Sequence, residues 1–153
     1  MDDNTAVAAS QFAKMVREND DDTIRNFIES DIRDFVLSEI FKQMEGQFRP
    51  PRTGLPRLVV HWKILDRPGG GYDHWEIGFK GKRIRINNPP RWNKPNLTFR
   101  VDGVNFLKLV TGNANPVKMV RDGRLSLQGL YPVALLFERC FERPDLRAEP
   151  APG

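Results

Sequence analysis

The hydrophobic period of this chain changes from helical to alternating near residue 50, and that change limits the folds open to it. Upstream, Ile24, Phe27, Ile28, Ile32, Phe35, Val36, Ile40, Phe41 and Met44 recur at spacings of three and four. This spacing predicts one long amphipathic helix over residues 23–44. Asp22 or Thr23 would cap it, and Gly46 and the Pro50-Pro51 pair would end it. Downstream the period is two. Leu58, Val60, Trp62 and Ile64 share one face, as do Trp75, Ile77 and Phe79, and Arg83-Ile84-Arg85-Ile86 alternates again. The runs are separated by turn signals, RPGGG at 67–71 and Gly81-Lys82. They predict an antiparallel meander with one apolar and one wet face, and His61 and His74 fall on the wet face.

The remaining elements follow from local signals. Leu97, Phe99 and Val101 alternate with Thr98 and Arg100, which predicts a fourth strand. Asp102 is placed to cap a short helix over 104–111, ended by Gly112. Asn115-Pro116 opens another, with Pro116 at the first helical position and Gly123 at the end. Leu125 and Leu127 mark a fifth strand, and an apolar helix over 131–141 closes the order. Residues 1–22 read as an acidic N-terminal arm or weak helix, with a faint stripe of Val7, Phe12, Met15 and Val16. Residues 49–56 read as a linker, 87–95 as a loop and 143–153 as a polar tail. The sum is an α+β fold. A single domain at 23–142 carries a five-stranded, mostly antiparallel sheet with one face covered by helices.

Composition narrows the setting. At 153 residues the chain can bury one real core. Its lone cysteine, Cys140, forbids an internal disulfide and suits a reducing compartment. Cys140 lies in an apolar run, where a thiol is a small buried hydrophobe. The N-terminus has no cationic region followed by an apolar run, so no secretory signal is read there. No stretch reaches the roughly 18 apolar residues of a membrane span. A soluble, cytoplasmic protein is expected. The net charge of +4 is uneven. Residues 1–22 are acidic, whereas Lys80, Lys82, Arg83, Arg85, Arg91 and Lys94 stand together with no acid among them. Such a stretch suits an anionic membrane surface or a partner enzyme, although a solvated face needs no partner.

The chain is poor in groups that converge for chemistry. The two histidines, with Asp73 or Glu76, are the one combination resembling metal ligands, and exposed strand histidines need no such role. There is no phosphate-binding glycine loop, since Gly69-Gly70-Gly71 lacks a following lysine and helix. There is no G-x-S-x-G elbow. Aromatics interleave with basic residues between Trp75 and Trp92, but Trp75, Ile77 and Phe79 keep a core spacing, so no nucleic acid is expected. No catalytic residue, metal or cofactor is assigned.

The segment LTFRVDGVNFLKLVTGNANPVKMVRDGRLSLQGLYPVALLFERCFE begins at Leu97. Its ordered parts are the strand 97–101, Asp102, a helix containing Phe106 and ending in Gly112, Asn115-Pro116, Gly123-Arg124-Leu125-Ser126-Leu127-Gln128-Gly129, and the apolar helix from Tyr131. In that order they closely resemble the sterol carrier protein 2 family, most clearly over 97–141. The resemblance implies that family's fold, with a cavity between the sheet's apolar face and the helices that follow. It implies non-catalytic binding or transfer of an apolar ligand: a lipid, acyl chain, isoprenoid or polyketide-like molecule. Carried over, the candidate lining residues are Trp75, Ile77, Phe79, Phe99, Phe106, Val110, Met119, Val120, Leu136, Phe137 and Phe141, with Met119 and Phe137 foremost. The C-terminal helix is the candidate lid. Such domains also stand beside enzymes, so an accessory subunit that presents a hydrophobic substrate or stabilises an enzyme is a second reading. A small enzyme is a third. It would need polar groups inside the cavity, from His61, His74, Tyr72, Tyr131, Asp102 or Glu138.

Overall fold

The computed structural model describes residues 3–141, with side chains from Val7 onward. The expected polar tail at 143–153 lies outside the described residues. The elements are α1 (Asp3–Glu18), α2 (Asp21–Ile28), α3 (Arg33–Gln47), β1 (Leu55–Leu65), β2 (Asp73–Gly81), β3 (Arg83–Asn87), β4 (Leu97–Asp102), α4 (Gly103–Val110), α5 (Pro116–Arg121), β5 (Leu125–Gly129) and α6 (Tyr131–Arg139). The five strands form one sheet in the order β3-β2-β1-β4-β5. Every pairing is antiparallel except β1 with β4, which is parallel. The architecture is α+β.

Alternation sets the faces. Trp62 pairs with Trp75 on one side and Phe99 on the other, and Phe99 pairs with Leu127. Val60, Trp62, Ile64, Ile77, Phe79, Leu97, Phe99, Val101 and Leu125 are all buried on this face, in one core with the helices. The caps expected after residue 97 form, whereas the cap expected at Asp22 or Thr23 is Asp20, which accepts from Thr23 N at 2.8 Å. Asp102 accepts from Asn105 N at 2.8 Å, and Asn115 accepts from Val117 N at 2.9 Å. Gly129 is required by close approach. Its φ is +120°, and a Cβ there would lie 2.4 Å from the Asn96 carbonyl oxygen.

Three expectations need correction. The single long helix is two helices. After Ile28 the chain turns through residues 29–32, where Ser30 Oγ donates to the Phe27 carbonyl at 2.7 Å. The apolar stripe does not stay in phase across this turn, which leaves Ile32 and Phe35 exposed at 45% and 68%. The break aims Arg33 inward. Its guanidinium, 2% exposed, donates to Asp73 Oδ2 at 2.6 Å and to the Ile64 and Leu65 carbonyls at 3.0 and 2.8 Å. This ties the start of α3 to the end of β1. Second, of the two readings of the N-terminal stretch the helix holds and the loose arm does not, since α1 packs on the domain. Its working stripe is Ala9, Ala13 and Val16, small residues that let a helix approach closely, while Val7 is 54% exposed. Third, the stretch read as a linker at 49–56 runs directly into β1, which begins at Leu55.

Candidate functional site

A cavity of about 490 Å³ opens between the sheet and the helices. Trp62, Phe99, Leu125 and Leu127 form its floor, from β1, β4 and β5. Ile40 and Met44 of α3, Ala9 and Phe12 of α1, and Leu109 and Val110 of α4 form the walls. Val117 and Val120 of α5 and Tyr131, Pro132, Ala134, Leu135, Phe137 and Glu138 of α6 complete it, with Phe141 just beyond α6. The space exists because short elements and small residues face this half of the sheet. Helix α5 has six residues, and Ala9 and Ala134 leave room where larger side chains would fill it. The mouth lies between α5 and α6, since Val117, Val120, Tyr131 and Leu135 line the cavity and are also 42–62% exposed.

Of the residues expected from the sequence, the structure brings Phe99, Val110, Val120, Phe137 and Phe141 to the cavity. It does not bring Trp75, Ile77, Phe79, Phe106, Met119 or Leu136 there. The reason is the position of α3 over the β2 half of the sheet. Phe41 stacks on Trp75 with centroids 4.4 Å apart and packs on Phe106 at 5.6 Å. Phe79 is enclosed by Phe48 at 5.4 Å and Phe137 at 6.0 Å. Ile77 and Met119 are fully buried, and Leu136 packs partly buried against the core. The correct face was legible, but which half of it stays uncovered was not. Trp62, Leu125 and Leu127 share the period-two face with Phe99, and that was the signal available for them.

The expected lid is held at both ends. Leu130 N donates to the Asn96 carbonyl at 2.8 Å before α6, and Arg49 N donates to the Cys140 carbonyl at 2.6 Å after it. Cys140 is 2% exposed, and burial raises its thiol pKa, which keeps it protonated and inert.

Among the described residues, the polar groups that line the cavity besides Tyr131 and Glu138 are Gln43, Gln47 and Thr111, and the Thr111 hydroxyl is spent on the Leu107 carbonyl at 2.6 Å. Tyr131 and Glu138 reach it, but only at the solvent-exposed rim. Asp102 serves as the α4 cap. His61 and His74 lie on the opposite face of the sheet. That face is not wet at its centre, contrary to the expectation. The strand order forces the connection from β3 to β4 to cross β2 and β1, and the loop at 88–96 covers what lies beneath. Glu76 is therefore 1% exposed and His61 3%. Glu76 is hydrogen-bonded to His61 Nε2 at 2.8 Å, and it accepts from Asn87 Nδ2 at 3.0 Å, Arg91 N at 3.1 Å and Trp92 N at 2.9 Å. Burial pushes its carboxyl pKa up. The bonds from Trp92, His61, Arg91 and Asn87 outweigh this and hold it below the ordinary value. His74 Nε2 meets His61 Nδ1 at 2.9 Å, and burial, then His61 and Lys63, lower the His74 pKa. The chain Glu76–His61–His74 is thus a clamp on a loop. Among the described residues, no group of three or more His, Cys, Asp or Glu is arranged to hold a metal ion. Among them, too, no helix is long and apolar enough to cross a membrane.

Residues 39–142 match the SCP-2 sterol transfer family. No curated protein sequence matches the chain. Among solved structures, Sterol Carrier Protein 2 Like 2 from Aedes aegypti is similar at TM-score 0.52 and 19% identity, over 69% of this chain and 96% of that one. Sterol Carrier Protein-2 from Aedes aegypti, in complex with the C16 fatty acid palmitate, is similar at TM-score 0.50 and 17% identity, over 72% and 94%. A double mutant of a sec-alkylsulfatase from Pseudomonas sp. is similar at TM-score 0.59 and 7% identity, over 69% of this chain. This chain spans 16% of the sulfatase's length. At such identities these likenesses describe the fold.

Proposed function

The chain belongs to the SCP-2 sterol transfer family, and from that premise we propose that it binds an apolar, lipid-like ligand in the cavity between α5, α6 and the sheet. The observation that carries the reading is the cavity itself: about 490 Å³, floored and walled mainly by apolar side chains, with Gln43, Gln47 and Thr111 among the few polar residues of its lining. Binding of such a ligand is driven by desolvation, at about 0.8 kcal/mol per buried methylene. An acyl chain or isoprenoid needs little else. Gln43, Gln47 and Tyr131 border the space and offer hydrogen bonds to a polar head. The similar fold in the Aedes aegypti protein holds palmitate, which supports a straight acyl chain as one occupant. The reading is of a carrier: among the described residues, no acid and base or nucleophile and base stand paired in the cavity lining.

Native mass spectrometry of the purified protein, followed by organic extraction, tests this. The expected result is a co-purified apolar compound, or saturable binding of a fluorescent fatty acid that palmitate displaces. Recovery of no compound together with no fatty-acid or sterol binding would overturn the reading.

A further inference from the structure

Among the described residues, helices α3 to α6 pack on the sheet and α1 and α2 pack on those helices, and the outer face of the sheet carries an unpaired array of cations. The register sets it. Arg83 and Arg85 alternate with core-facing Ile84 and Ile86 on β3, and Lys80 pairs with Arg83. Lys63 of β1 pairs with Arg100 of β4 on the same outer face. The crossover loop adds Arg91 and Lys94 above them, and Arg57 lies 4.8 Å from the centroid of the Trp92 ring. All of these cations but Lys63 are exposed. None forms an ion pair among the described residues, whereas Arg25, Arg33, Arg67, Lys108 and Arg124 all do. Of the acids on this face, Glu76 is buried and committed to the loop, and Asp102 is committed to the α4 cap.

We propose that this outer face docks the protein on an anionic lipid bilayer, with the cavity mouth turned away from it. Charge complementarity argues for a phosphate-rich surface, because so many unopposed cations repel one another until an anion neutralises them. The aromatic pattern argues for a membrane over a nucleic acid. A single-stranded nucleic acid needs open ring faces on which bases stack. Here Arg57 lies over Trp92, and Lys63 lies over Tyr72 at 5.2 Å. An indole on the outermost loop among arginine and lysine is suited to the headgroup layer, where its edge meets polar groups and its body meets acyl chains. The proposal does not depend on what fills the cavity. It separates two surfaces, one that holds the membrane and one that passes the ligand.

Sedimentation with phosphatidylcholine vesicles, with and without phosphatidylserine, tests it on the full chain. Binding is expected only with phosphatidylserine and is reversed by salt. Trp92 is exposed while Trp62 and Trp75 are not, so a blue shift on docking that Trp92→Phe removes is also expected. Arg83→Gln with Arg85→Gln should weaken partitioning about thirtyfold, at about fivefold per cation. Fatty-acid binding should be unchanged in that variant, and Leu135→Ser at the mouth should leave docking unchanged. Equal binding to neutral vesicles, or an undiminished double variant, would overturn the proposal. So would a Leu135→Ser variant that docks as poorly as the double variant. Release from vesicles by a single-stranded oligonucleotide at equal phosphate would reassign the face to nucleic acid.

Discussion

Replacing Glu76 with glutamine removes one charge and turns one acceptor into a donor. Glu76 Oε1 accepts from Asn87 Nδ2 and Arg91 N, and Oε2 is bonded to His61 Nε2 and accepts from Trp92 N. A glutamine must place its NH2 at one of these two positions. Asn87 can turn its amide and His61 can change tautomer, but a backbone N–H cannot adapt. Whichever way the glutamine lies, the N–H of Arg91 or of Trp92 meets another donor. One orphaned donor costs about 1–3 kcal/mol, and the remaining bonds lose their charge assistance. The loop is partly open to water, so the lower half of that range applies, and a loss of about 2 kcal/mol is expected. Glu76→Ala strands all of the partners and should cost about 3–5 kcal/mol. Urea unfolding with an unchanged slope measures both. Trp92 emission should also report a looser loop in Glu76→Gln below the unfolding transition. A Glu76→Gln protein within about 0.5 kcal/mol of wild type would refute the clamp.

Acid should destabilise the protein in two steps. His74 is held below its ordinary 6.5 and Glu76 below its ordinary 4.5, so in each window the unfolded chain binds the proton first. The melting temperature is therefore expected to fall as the pH drops below about 6.5 and again below about 4.5, and a flat profile between pH 7 and 4 would contradict this. Arg33→Met leaves Asp73 buried against Arg67 alone and should cost about 3–5 kcal/mol in urea unfolding; a loss below 1 kcal/mol would show that the Arg33 network is dispensable. Asp102→Ala removes the α4 cap and should cost about 1 kcal/mol, read as a shifted urea midpoint. Ala134→Phe fills the cavity from α6. It should weaken fatty-acid binding about tenfold or more, the equivalent of two methylenes displaced, with no drop in melting temperature. Undiminished binding would place the ligand elsewhere.

The sequence alone determined the faces of the strands and the order of the elements from the first strand onward. Period-two runs set Val60, Trp62, Ile77 and Phe99 on one side of a sheet, and Asp102, Asn115-Pro116 and Gly129 placed the caps and turns after residue 97. These signals are local, since a cap acts within a few residues and alternation needs only one strand. The tertiary structure decided what covers each face, and that follows from strand order, a property of pairs distant in the chain. The order β3-β2-β1-β4-β5 sends the 88–96 loop across β2 and β1, so His61 and Glu76, polar by pattern, are buried. The turn at 29–32 swings α3 over Trp75, Phe79 and Phe106, so these apolar residues serve as packing. The uncovered half of the same face, at Trp62, Phe99, Leu125 and Leu127, is where the cavity remains. Hydrophobicity told which side of each strand turns inward, and only the packing of distant elements told which of those side chains meet an empty space.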